Sequence, residues 1–117
     1  MKLNGGAVID AKSVEPSEYL PNKGVFHAGL LGAWRGDGLG LYFGRIEPGA
    51  AIAREIHPET SETLVILAGN AICLCGDVEM ALSAGQVLHI ERNVTHGLRN
   101  VGASDVEFLV IGVPDFA

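Results

Sequence analysis

Positive charge is scarce in this chain, with eight Lys and Arg against fourteen Asp and Glu and a formal net charge of −6. No cluster of cations could neutralise a row of phosphates, so no nucleic acid is expected as a partner, and anionic membrane surfaces are disfavoured for the same reason. Long apolar runs are also missing. Residues 63–76 carry no formal charge, but the turn signal Gly69-Asn70 divides them into two strand-length pieces, so no membrane span is expected. Near the amino end, Ala7-Val8-Ile9 is cut off at once by Asp10, too short for a secretory h-region. A cytoplasmic location is the expectation. Cysteine is limited to Cys73 and Cys75. An i,i+2 pair in an extended chain is badly placed for a disulfide but shares one strand face, so both read as small buried hydrophobes. A thiolate metal site would need further Cys or His at matching spacing, and none stands nearby.

What the chain has is glycine and apolar residues. Apolar residues make up 48% and charged ones 19% of 117 residues, which excludes disorder and fits one domain that buries roughly 65% of its unfolded surface. Its sixteen glycines are about twice the usual frequency of roughly 7%. Turn signals at Gly36-Asp37-Gly38, Pro48-Gly49, Gly69-Asn70, Gly76-Asp77, Ala84-Gly85, Arg92-Asn93 and Asn100-Val101-Gly102 leave intervals too short for substantial helices. The fold class is therefore all-β, with strands expected at 25–34, 39–46, 50–57, 63–68, 71–75, 78–82, 86–90 and 106–113. Leu39, Leu41 and Phe43 alternate with Gly40, Tyr42 and Gly44, whereas Phe108-Leu109-Val110-Ile111 is apolar on both faces. A closed or sandwich-like barrel that forms a homodimer accounts for both patterns. Residues 13–20 are the sole helical candidate, with Ser13 as N-cap, stopped by Pro21 within about two turns. Residues 1–20 read as an N-terminal arm across the barrel.

Four side chains could carry chemistry together. In Glu55-Ile56-His57 a carboxylate and an imidazole fall on one side of a strand, about 6.6 Å apart, and Ile56 faces the other way. An antiparallel return through the 58–61 loop would bring Glu62 beside His57. His96, from a distant strand, could reach the same interior. Two neutral imidazoles and two carboxylates around a divalent cation have zero formal charge, which a partly buried pocket tolerates. Spacing alone reads equally well as a solvated acidic turn made of Glu55, His57, Glu59 and Glu62.

The segment anchored by Gly49, Glu55, His57, Glu62 and Gly69 resembles the first cupin motif, Gly, five residues, His, one, His, three or four, Glu, six, Gly, with Glu55 where the first His belongs. The segment from Gly85 to Asn100 is similar to the second motif, with Gly85, His96 and Asn100 in place, Glu91 for the Pro and Asn93 for the Gly. Together they cover residues 49–100, a little under half the chain. The resemblance implies a single cupin domain over residues 1–117, a double-stranded β-helix or jelly-roll barrel. It implies His57, Glu62 and His96 as metal ligands with Glu55 as a fourth. Glu55 puts a hard oxygen where an imidazole nitrogen belongs, which leaves Fe, Mn, Ni and Zn all open. The activity implied is that of a metal-dependent protein acting on a small polar or anionic molecule by oxygenase, isomerase or lyase chemistry. The alternative is a non-catalytic small-molecule-binding or sensory cupin.

Other candidates are weaker. His89 points away from the core face of its strand, and His27 reads as a core or edge histidine. Arg45 and Arg99 read as solvated, and Trp34 as a barrel or interface anchor. Neither a phosphate-cradling glycine loop, a Gly-x-Ser-x-Gly elbow nor a Cys-His pair is present, so covalent catalysis is not expected.

Overall fold

Strands rich in β-branched and aromatic residues pair here as their alternation requires. The structure, a computed structural model, describes residues 1–32 and 38–116. Within them lie β1 (Lys2–Leu3), β2 (Gly6–Ala7), β3 (Ser17–Glu18), β4 (Val25–Leu31), β5 (Gly40–Ile46), β6 (Ala51–Glu55), β7 (Ser61–Ala68), β8 (Asn70–Cys75), β9 (Val78–Ser83), β10 (Val87–Ile90), β11 (His96–Asn100) and β12 (Val106–Val113). A six-stranded sheet runs β10-β7-β12-β5-β4-β3 and a four-stranded sheet runs β6-β11-β8-β9, all antiparallel, with β1-β2 as a separate ribbon. The two larger sheets close on one core, and the expected double-stranded β-helix barrel is the fold. Trp34 lies outside the described residues.

Register decides which side chains face inward. Ile46 lies opposite both Val25 and Val106, Phe108 opposite Ile66 and Leu64 opposite Leu88, and these contribute to the buried cluster with Cys73 and Leu98 of the other sheet. Cys73 is fully buried and Cys75 half-buried, both as free thiols, which bears out their reading as core residues. On β5 the inward positions belong to Gly40, Tyr42, Gly44 and Ile46, because the ring of Phe108 fills the space a Cβ at Gly44 would need. Leu41 and Phe43 therefore face outward.

Three expectations need correction. β6 and β7 are not ladder neighbours, since the chain crosses from the four-stranded to the six-stranded sheet between them. Glu62 thus meets His57 across the barrel and not along a hairpin. The helical turn lies at Ala11–Ser13, capped by the Asp10 side chain accepting from the Lys12 amide, while Ser17 and Glu18 are extended against His27 and Phe26. Finally, β11 was missing from the expected strands. Gly97 lies at its bulge, close to the Ile52 carbonyl, and the strand carries Arg99 and Asn100, so its apolar content is low. Of the arm, residues 1–10 are exposed, whereas Ala11, Val14 and Pro16 lie beside Phe26 and Phe43 on the outer face.

Candidate metal centre and its cavity

Each side chain of the cluster is set by a local feature of the chain. Glu55 ends β6 and lies directly opposite His96 at the start of β11. His57 follows two residues later, where its carbonyl accepts from the Asn93 amide at 3.0 Å. Asn93 has a φ of +68°, the left-handed conformation that its place in the second motif demands and that Asn tolerates better than most residues. The two motif loops are therefore joined directly. Asn100, nearly fully buried, donates to the carbonyls of Ile46 and Ser104 and accepts from the Gly102 amide, so its role is to hold the end of the second motif. Glu62 enters from β7, opposite Ile90 and Gly112.

Of the four residues singled out in the sequence, Glu55, His57 and His96 form one group and Glu62 adjoins its two histidines. Ligand atoms of Glu55, His57 and His96 lie within 4.8 Å of one another. Glu62 places its two carboxylate oxygens 3.8 Å from His57 Nε2 and 3.4 Å from His96 Nε2. The imidazole centroids of His57 and His96 are 5.1 Å apart. His96 Nδ1 is 2.9 Å from the Val94 carbonyl, to which it donates, so the lone pair is left on Nε2. That Nε2 is buried and has no hydrogen-bond partner among the described residues. A buried lone pair facing carboxylates and a second imidazole is costly without a donor or a cation. Two imidazole nitrogens and two carboxylates suit a divalent transition ion in charge and donor type.

Electrostatics point the same way. Burial pushes the Glu62 carboxyl up to about 7, with His96 opposing the rise and Glu55 adding to it. Burial also lowers the His57 pKa, against the pull of Glu55. A cation at their common point would reverse the cost of keeping Glu62 ionised.

Several residues of this region were not among the expected ones. Tyr19, from the arm, donates its hydroxyl to Glu55 Oε2 at 2.7 Å, and burial with this bond raises its pKa. Tyr42 donates to Asp115, and Phe116 sits edge-on to His57 with centroids 4.9 Å apart. These side chains and the cluster border one cavity of about 420 Å³. His27 lines it and touches Tyr19 edge-on, so it is an interior wall residue and not one of the cluster. His89 points outward to Thr63 and Glu91, as its strand position implied. Arg99 pairs with Glu79 at the surface, and Arg45 stacks on Phe26.

Residues 42–112 match the model of the cupin domain family, Cupin_2, and the chain belongs to that family. Over 66 residues it is 29% identical to the xanthan biosynthesis protein XanB of Xanthomonas campestris pv. campestris (strain B100), a match covering 56% of this chain and 14% of that protein. The chain thus spans only a small part of that relative. Among solved structures, a predicted oxalate decarboxylase of Thermotoga maritima superposes with a TM-score of 0.85 at 21% identity, covering 92% of this chain and 99% of the other. The polyketide cyclase RemF of Streptomyces resistomycificus superposes with a TM-score of 0.81 at 19% identity, covering 94% and 80%. Likeness at these identities establishes the fold. No helix among the described residues is long and apolar enough to cross a membrane.

Proposed function

We propose that this protein is a metal-dependent cupin enzyme in which Glu55, His57, Glu62 and His96 hold one divalent transition ion, Fe, Mn, Ni or Zn. A small polar or anionic molecule entering the adjoining cavity is its substrate, and the chemistry is of oxygenase, isomerase or lyase type. The observation that carries this reading is His96 Nε2, buried, without a hydrogen bond among the described residues and 3.4 Å from a buried carboxylate. A histidine kept only for packing would have a donor or acceptor for that nitrogen.

When bound, such an ion supplies Lewis acidity toward a coordinated oxygen or activates water or O2. The chain's own residues orient and exclude. The Val94 carbonyl fixes the His96 tautomer, and the Tyr19 hydroxyl restrains the Glu55 carboxylate. Phe116 packs on His57, while Leu64, Leu98, Phe108 and Val110 make the inner wall apolar.

A homodimer is part of the proposal. Its support is the outer face of the six-stranded sheet, where Leu67 and Val87 are 45% and 58% exposed beside half-buried Val65, Leu109 and Ile111.

Elemental analysis of untagged protein tests the reading, with close to one transition ion per chain expected and loss of that ion in His57→Ala and His96→Ala. Metal-free protein that also fails to take up Fe, Mn, Ni or Zn would overturn it. Turnover and O2 consumption by the loaded protein across keto acids, diketones, phenols and sugars then separate an enzyme from a sensor, since binding without turnover favours the latter.

A further inference from the structure

The cavity wall carries information about charge that the cluster itself does not. Six rings follow one another around it. Centroid separations are 5.1 Å from Tyr19 to His27, 6.4 Å from His27 to Tyr42 and 5.8 Å from Tyr42 to Phe116. The series continues with 4.9 Å from Phe116 to His57 and 5.1 Å from His57 to His96. Among the described lining residues the carboxyl side chains are Glu55 and Glu62, and there is no Lys or Arg. Asp115 accepts from the Tyr42 hydroxyl nearby. The guanidinium of Arg45 lies over Phe26, paired with Glu47 and Asp105.

An anion brought into this cavity would lose its hydration, face two carboxylates and meet no guanidinium among the described lining residues. A divalent ion would bring the cluster to zero formal charge and so remove its repulsion, but the described wall would still add no cationic side chain to hold an anion. A flat, uncharged ring system, in contrast, gains contact with the aromatic wall, and a hydroxyl or carbonyl on its edge can reach the imidazoles. We infer that the site takes a neutral, planar aromatic molecule bearing a hydroxyl or carbonyl group, with Phe116 and Tyr42 as specificity-determining wall residues. This rests on the reading of the cavity as the substrate site and narrows the class of molecule within it.

The probes are 2-naphthol and 2-naphthoate, alike in shape and opposite in charge state at neutral pH. Their affinities are measured by calorimetry and ligand-observed NMR on the purified protein and again after chelator treatment. The naphthol is expected to bind at least about tenfold more tightly in both preparations. Phe116→Ala should weaken naphthol binding severalfold, and Phe116→Arg should shift the preference toward the naphthoate. Equal or tighter binding of the naphthoate, absence of naphthol binding, or unchanged naphthol affinity in folded Phe116→Ala would each overturn the inference. The ratio in the unsubstituted protein decides the matter however the variants fold. Metal content measured on the same samples keeps the two readings apart. Protein that takes no metal yet prefers the naphthol refutes the metal proposal alone, whereas metalated protein that prefers the naphthoate refutes this inference alone.

Discussion

The hydroxyl of Tyr19 donates to Glu55 Oε2 at 2.7 Å, across 36 positions of the chain. The bond ties the arm to the one cluster position where a carboxylate replaces the imidazole of the family motif. A carboxylate has more ways to turn than an imidazole, and a fixed donor removes some of them.

Tyr19→Phe should therefore weaken metal binding by about tenfold, the lower end of what loss of a partner that orients a ligand costs. Glu55→Ala should weaken it further, yet less than His57→Ala. Competition with a chromogenic chelator ranks the three. An unchanged constant in Tyr19→Phe would show that the phenol does not position the carboxylate.

Glu62 gives a pH dependence with a definite sign. In metal-free protein its carboxyl is raised from 4.5 to about 7, chiefly by burial, so the folded state binds the proton more tightly than the unfolded state. The associated stability is fully present below pH 4.5 and is lost as pH rises through about 7. Glu62→Gln lacks this group. The melting temperature of chelator-treated wild type should fall relative to that of Glu62→Gln across this interval, and a constant difference would contradict the assignment.

Asn100→Ala should cost about 3 kcal/mol in urea unfolding, because the Ile46 and Ser104 carbonyls and the Gly102 amide all lose a partner at a nearly fully buried site. Val101→Ala, at a position 61% exposed, should stay within about 0.5 kcal/mol of wild type. Similar losses in both would mean that the hydrogen bonds of Asn100 do not hold the loop.

Burial pushes the Cys73 thiol up to about 12, with Cys75 adding to the rise, and the side chain is inaccessible. Thiol titration of native protein should leave Cys73 unreacted until urea is added. Prompt labelling of both cysteines would show that this part of the barrel opens readily.

The sequence disclosed the cluster better than its surroundings. Glu55, His57, Glu62 and His96 fall at motif spacings, and Asn93 and Asn100 do what their motif positions require. Most strands announce themselves through Val, Ile, Leu and Phe between turn residues, whereas Gly97 and Arg99 concealed β11. The face that β5 turns inward was illegible, because alternation shows that two faces differ and not which one a ring from β12 will cover. Tyr19, Tyr42 and Phe116 could not be placed either. Their positions follow from barrel closure, which joins residues as far apart as Tyr42 and Asp115 and leaves no periodic trace.

The glycines beneath the aromatic side chains have one more consequence. A Cβ at Gly44 would press into the ring of Phe108, and one at Gly112 into the ring of Phe116, with side chains as the nearest obstacles in both cases. Replacement by alanine would tilt a ring and reshape the chamber while sparing the ladder that supports it. The shape of the cavity can thus drift by single carbon atoms at glycines beneath its wall.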